Sequence, residues 1–385
     1  MIFSRFKLNP ELYLELENPI RAYIYYRDRR FNILTGFPEA YSIQNLCSEL
    51  SQIQLDSHFK LPKVYHFYYE FGFVHMGLEH LIAGDTPLVI EIEYSQQKKV
   101  RPRKSSLRKI DLNSLERPSW SEYKEAFQLV QEQLRLGNCY QLNLTYPFDF
   151  YTEDSLHPKD IADYFFSQKN LGAYAHATYL GQEMILSNSP ECLFQYRSNE
   201  IFTMPIKGTK KYSGTNWRKV WQEMIDDPKE SAELIMITDL LKNDLNRLER
   251  ARAKVIKLKA PLFAPGIIHQ YSLISLQLDQ SVSLLKTMQS LFPGGSITGA
   301  PKKKVMSLIA SLERYQRGPY CGSTLLCINK RKSASINIRT ALIDFEHKVW
   351  RYAAGGGITL LSKAHEEFQE MELKVSSFTS LFSKI

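Results

Sequence analysis

The chain has 385 residues, 44% of them hydrophobic and 23% charged, with a net charge of +8. That composition is ordinary for a soluble globular protein, and no apolar run approaches the roughly 20 residues that cross a bilayer. The positive charge leaves two classes of partner open, nucleic acid and an anionic small substrate. Cys47, Cys139, Cys192, Cys321 and Cys327 are scattered, and none forms a C-x-x-C pair. A disulfide framework and a zinc site are therefore not indicated, and a reducing, cytoplasmic setting is expected. Met1-Ile2-Phe3-Ser4-Arg5-Phe6-Lys7 lacks the apolar core of a signal peptide.

Residues 1 to about 95 are rich in aromatics and short alternating runs. Ala22–Tyr26, Val64–Tyr69 and Pro87–Glu93 read as strands. A basic run, Lys98-Lys99-Val100-Arg101-Pro102-Arg103-Lys104 continuing to Arg108 and Lys109, lacks interleaved aromatics. It reads as a solvated linker over about 96–118, ahead of a core over about 119–382.

Ser119-Trp120-Ser121-Glu122 resembles a capping box. Trp120, Tyr123, Phe127, Val130 and Leu134 follow at helical spacing, and Gly137 is the expected stop. Next, Tyr140, Leu142 and Leu144 alternate with Gln141, Asn143 and Thr145. The spacing predicts a strand with one polar face, on which Gln141 points into a site or to solvent.

Met184–Glu191 reads as a strand ending in a polar turn, with Cys192-Leu193-Phe194 returning. A carboxylate pinned there, Glu191, acts as a general acid if burial raises its pKa, and is otherwise a surface charge. Met204-Pro205-Ile206-Lys207-Gly208-Thr209 reads as a strand end entering a tight turn. An amine on so stiff a turn can be aimed at a substrate, but it must be neutral to attack. An ordinary lysine is neutral only about once in a few thousand at pH 7, so alone Lys207 reads as a solvated charge.

Asp227 and Pro228 fit the N-cap and first position of a helix. That helix carries Glu230 and Glu233 three apart, on one face. A last helix, from near Ser362 towards Phe382, has a core stripe of Phe368, Met371, Val375, Phe378 and Phe382. Beside the stripe lie Glu367, Glu370 and Lys374. Two Glu-x-x-Glu pairs facing each other require a cation, and the hard, oxygen-seeking choice is Mg²⁺.

Between these helices, Gly294-Gly295-Ser296-Ile297-Thr298-Gly299-Ala300-Pro301 leads into a helix with Pro301 expected at its first position. The phosphate-loop spacing is absent, but a helix N-terminus of this kind can hold an anion. Arg317-Gly318-Pro319-Tyr320 follows, then an expected strand Ser335–Leu342 carrying Arg339, a residue type that grips carboxylates with two parallel bonds. Gly355-Gly356-Gly357 offers bare backbone N–H groups, as an anion cradle or a flexible turn.

Taken in this order, the motifs resemble the chorismate-utilising enzymes of the anthranilate synthase and aminodeoxychorismate synthase component I family, strongly over about residues 120–380. Before that, Tyr69-Glu70-Phe71-Gly72 is the main echo. The resemblance implies an α+β fold in one chorismate-binding domain over 1–385. Two antiparallel sheets pack as a sandwich with helices outside, and the site is a cleft near Mg²⁺. It also implies roles. Lys207, in Pro-Ile-Lys-Gly-Thr, is the covalent nucleophile of an aminodeoxychorismate synthase, where anthranilate synthases typically carry alanine. Glu191 is the general acid, and His269 a site histidine. Glu233 and Glu370 are direct Mg²⁺ ligands, while Glu230 and Glu367 act through water. Arg339, Tyr320, Thr298, Lys374, Thr209, Gln141 and the Gly355–Gly357 backbone contact substrate. Gln141 stands where isochorismate synthases carry a lysine. The implied partners are chorismate and a separate glutamine amidotransferase subunit, with neither nucleic acid nor membrane. Anthranilate synthase component I is the alternative within the family, and a basic nucleic-acid-binding protein the alternative outside it.

Overall fold

The computed structural model describes residues 1–382 apart from 104, 106, 108, 215, 249–251 and 265–266; the side chains of 209, 229, 264 and 267 are also outside the described set. The first part of the chain forms β1 (Phe3–Asn9), β2 (Leu12–Tyr25), β3 (Arg29–Asn32), β4 (Phe37–Ala40), α1 (Ile43–Gln52), β5 (Phe59–Phe67), α2 (Phe71–Met76) and β6 (Val89–Val100). Then come β7 (Asn113–Glu116), α3 (Trp120–Arg135), β8 (Gln141–Tyr151), α4 (Pro158–Phe166), β9 (His176–Tyr179), β10 (Glu183–Ser187), β11 (Cys192–Arg197), β12 (Glu200–Met204) and β13 (Ile206–Lys211). The remainder is α5 (Trp217–Ile225), α6 (Pro228–Asn246), β14 (Lys254–Ala264), β15 (Ile267–Gln277), α7 (Leu284–Leu291), α8 (Gly295–Thr298), β16 (Gly299–Ala300), α9 (Lys302–Leu312), β17 (Ser323–Asn329), β18 (Arg331–Ser335), β19 (Thr340–Asp344), β20 (Val349–Ile358) and α10 (Ala364–Thr379).

The pairings are antiparallel and trace one ribbon: β14-β15-β12-β11-β18-β17-β5-β6-β2-β1-β9-β10-β19-β20-β8-β7. β13 lies beside β15, and β16 beside β8. Among the described residues no pairing joins the two ends, so the ribbon is open and not a barrel. It folds back on itself: Val64, Ile90 and Ile92 of β5 and β6 share an apolar cluster with Ile185 of β10 and Leu342 of β19. The fold is the expected α+β class, its sandwich formed by one antiparallel ribbon folded back on itself. Helices pack on its other faces through a second cluster, which includes Val130 of α3 and Met371 of α10.

Local sequence explains several boundaries. Ser119 caps α3 with the reciprocal Glu122 bond of a capping box. Asp227 caps α6, its carboxylate accepting from the Glu230 N–H at 3.1 Å. Pro301 is the N-cap residue of α9 in extended backbone, one place earlier than expected. The basic run is not wholly a linker. Lys98 and Lys99 belong to β6, paired with β2, and Lys98 Nζ lies 2.8 Å from Glu15 and 2.7 Å from Glu17. Its Lys104 and Arg108 lie outside the described residues.

Glu70 follows β5 and is buried, its carboxylate accepting from the Gly318 N–H at 3.2 Å. Burial raises its pKa to about 7 from 4.5, with backbone hydrogen bonds and Arg317 opposing. The folded state therefore favours the protonated form. The stability this contributes is fully present below about pH 4.5 and is lost as pH rises towards about 7, a change on the order of 3 kcal/mol. Across that window the unfolding free energy from urea titration should change less favourably in the wild type than in Glu70→Gln, by about that amount.

Candidate active site

The polar face of β8 meets the end of β20 at a cleft of about 460 Å³, a size suited to a small-molecule ligand. Asn143 and Thr145 line it, while Leu142 and Leu144 point the other way into the core. β20 pairs with β19 only as far as Tyr352, whereas its pairing with β8 continues to Ile358. One edge of Gly355–Gly357 is therefore open beside the cleft. This segment is a strand, not a flexible turn. A Cβ on Gly355 would lie 2.1 Å from the Leu144 carbonyl oxygen, so glycine is required for β20 to approach β8.

Lys207 lines the same cleft. It sits within β13 rather than in a turn, and the register against β15 slips between Lys207 and Thr209, at Gly208 with φ +63°. The bulge re-aims the strand. A Cβ on Gly208 would come 2.9 Å from a Glu230 carboxylate oxygen, so the missing side chain makes room for α6. Lys207 Nζ lies 3.5 Å from Glu233 Oε2. His269 Nδ1 lies 3.2 Å from the Gly208 carbonyl. Burial lowers the His269 pKa, with Arg339 acting in the same direction and the Gly208 bond opposing, which favours neutral imidazole.

Glu191 lies between β10 and β11. These strands are not paired with each other, so the expected hairpin is a crossover: β10 pairs with β9 and β19, and β11 with β12 and β18. Its backbone is fixed on both sides, by Ser189 Oγ at the Glu191 N–H and by the Ile336 N–H at its carbonyl. The carboxylate accepts from Ser296 Oγ at 2.7 Å. Burial raises its pKa, while Ser296, Lys207 and Arg339 pull it down. A buried carboxylic acid that holds its proton above the usual range can protonate a leaving hydroxyl.

The two Glu-x-x-Glu pairs do converge. Glu230 and Glu233 of α6 and Glu367 and Glu370 of α10 all line the cleft. Glu370 is 2.8 Å from Lys374 Nζ, which also donates to the Gly355 carbonyl at 2.8 Å. Glu367 accepts from Ser362 Oγ at 2.7 Å. Among the described residues no three of these groups stand close enough together to form a metal cage. The donor set is nonetheless all carboxylate oxygen, the chemistry that suits Mg²⁺. α6 is anchored at its far end by Asp244, whose carboxylate is 2.6 Å from the buried Lys302 Nζ of α9.

Other expected contacts divide. Tyr320 and Arg339 line the cleft. Arg339 is not on a continuous strand: β18 stops at Ser335 and β19 starts at Thr340, and Arg339 adopts φ +52° in the break, with an exposed side chain. Thr298 is fully buried and absent from the lining; its one-turn helix instead presents Ser296 and Ile297. Gln141 is buried, with no hydrogen-bond partner for its Oε1 among the described residues, and its amide packs against Gly357. The Thr209 side chain lies outside the described residues. The N-terminus of α9, read as an anion site, does not line the cleft. Sequence reasoning did not single out Asn143 and Thr145, although they share the face of Gln141. It also missed the Ser296 bond to Glu191, which joins residues 105 apart.

The chain belongs to the chorismate binding enzyme family, whose sequence pattern matches residues 37–380. Among its relatives is aminodeoxychorismate synthase component 1 of Escherichia coli, 35% identical over 268 residues, which are 68% of this chain and 58% of that protein. The match thus spans less than two thirds of that relative's length. Anthranilate synthase component 1 of Aeropyrum pernix is 27% identical over 78% of this chain and 66% of that protein. The fold matches anthranilate synthase component I of Streptococcus pneumoniae with a TM-score of 0.77 at 18% identity, over 97% of this chain and 93% of that one. It matches the menaquinone-specific isochorismate synthase of Escherichia coli with a TM-score of 0.72 at 15% identity, over 100% and 89%. Among the described residues no helix is long and apolar enough to cross a membrane.

Proposed function

We propose that this chain is the synthase component that converts chorismate and ammonia to 4-amino-4-deoxychorismate, the precursor that leads to p-aminobenzoate and folate. The observation that carries the reading is Lys207, on a bulged strand in the same cleft as the buried acid Glu191. In the neutral state the Lys207 amine attacks C2 of chorismate. The ring double bonds shift, and the C4 hydroxyl leaves as water with a proton from Glu191. Ammonia then adds at C4, the double bonds shift back, and the lysine is expelled. The sum is chorismate plus ammonia giving aminodeoxychorismate plus water.

Chorismate is a dianion. Arg339, Lys374 and the open edge of Gly355–Gly357 supply the positive and N–H groups that would orient it. The residues that would hold Mg²⁺ are Glu233 and Glu370, with Glu230 and Glu367 acting through water; an ion there would neutralise substrate carboxylate charge. The "component 1" in relatives' names supports a second component, proposed here to be a glutamine amidotransferase that delivers ammonia in the cytoplasm. Purified chain given chorismate, Mg²⁺ and an ammonium salt should form a product that retains its enolpyruvyl group. Release of pyruvate with anthranilate would instead place the chain with its anthranilate synthase relatives.

A further inference from the structure

We infer that the buried Glu313–Arg317 pair is a positioning element for the acid of the proposed reaction: it holds the one-turn helix α8 so that Ser296 donates to Glu191. The inference rests on the functional reading above. Arg317 and Glu313 form a two-bond fork, Nε to Oε2 at 2.8 Å and Nη2 to Oε1 at 2.7 Å, with side chains only 1% and 2% exposed. Two further guanidinium bonds leave the pair. Nη1 donates to the Ile297 carbonyl at 3.1 Å, and Nη2 to the Asn143 carbonyl at 2.8 Å. Ile297 follows Ser296 in the chain. Asn143 in turn donates its side-chain amide to the Ser296 carbonyl at 3.1 Å. Ser296 is thus held from both sides, and its hydroxyl lies 2.7 Å from Glu191.

Arg317 is absent from the cleft lining, so any effect it has on the reaction passes through other residues. The Tyr69 ring lies under its guanidinium at 4.6 Å, and Thr145 donates both its N–H and its hydroxyl to Glu313 at 3.0 Å. A fully buried ion pair of this sort is often no better for stability than apolar side chains of the same volume. Its geometry does fix the positions of two cleft segments, β8 and α8, relative to each other.

The test is the pH dependence of kcat. Glu191 is faced by Ser296 from α8, Lys207 from β13, Arg339 from the β18–β19 break and the adjacent Cys192 thiol. Ser296→Ala removes a bond that favours the charged carboxylate, so the acid keeps its proton to higher pH and the alkaline limb moves up. Arg317→Lys should move the limb the same way, lower kcat about tenfold and leave KM nearly unchanged. The double variant should move the limb no further than the larger single change. Glu313→Gln, which keeps an acceptor at the fork, provides a second route if Arg317→Lys does not fold. A role confined to stability would lower the melting temperature of both fork variants and leave the limb in place; that result, or shifts that simply add, would overturn the inference. Carbon-13 NMR of the Glu191 carboxyl, assigned with Glu191→Gln, follows the same titration without turnover. A wild-type chain that left chorismate unchanged would remove the proposed function, while the carboxyl titration would still decide the relay.

Discussion

Replacing Lys207 with alanine is expected to slow aminodeoxychorismate formation by about a thousandfold or more, with chorismate affinity changed only a few-fold. In the proposed reaction the lysine makes and breaks a covalent bond, and the Lys374 amine, which also lines the cleft, is held by Glu370 and the Gly355 carbonyl. In the same proposal, substrate charge is met elsewhere in the cleft, by Arg339, Lys374 and the open edge of β20. Arginine at 207 should be as inactive as alanine, because a guanidinium does not become neutral in the accessible pH range. Steady-state kinetics with ammonium as the nitrogen source, beside calorimetric titration with chorismate, separate the two quantities. A variant that lost binding and kept its turnover number would make Lys207 a substrate contact instead.

Glu191→Gln is the second large effect, a loss of about a hundredfold to ten-thousandfold in kcat. Glutamine preserves the shape and can still accept from Ser296, so the protein should fold and bind chorismate. It cannot supply a proton to the departing C4 hydroxyl. The wild-type profile should fall on the alkaline side as Glu191 loses its proton. Burial raises the pKa, so that fall begins above the usual carboxylate range. The variant should lack the limb altogether. A wild-type limb that survives in Glu191→Gln would assign the titration to another group.

Much of this site was legible in the sequence because its parts are local patterns. A three-residue spacing puts Glu230 with Glu233, and Glu367 with Glu370, on one helix face each, and both pairs reach the cleft. Alternation placed Gln141 opposite Leu142 and Leu144, and the capping box marked the start of α3. What depended on distant pairing was harder to read. Gly208 read as a turn residue, and Gly355–Gly357 as an anion cradle or a flexible turn, because glycine is the usual residue of both. The structure uses them for a bulge and for close strand contact. Arg339 read as a strand residue because its neighbours alternate, yet the chain breaks there with positive φ. The bonds from Arg317 to Asn143 and Ile297, and from Ser296 to Glu191, join segments far apart in sequence and have no local signature. Lys98 read as part of a linker by charge alone, whereas strand pairing and two glutamates account for it.

The most direct test of the covalent reading is intact-mass analysis of the chain after incubation with chorismate and Mg²⁺ in the absence of ammonia. The account predicts a species heavier by chorismate less one water, mapped by peptide analysis to Lys207 and released as aminodeoxychorismate when an ammonium salt is added. Unmodified protein together with rapid aminodeoxychorismate formation once ammonium is present would contradict it, since the amine would then reach C4 without the lysine.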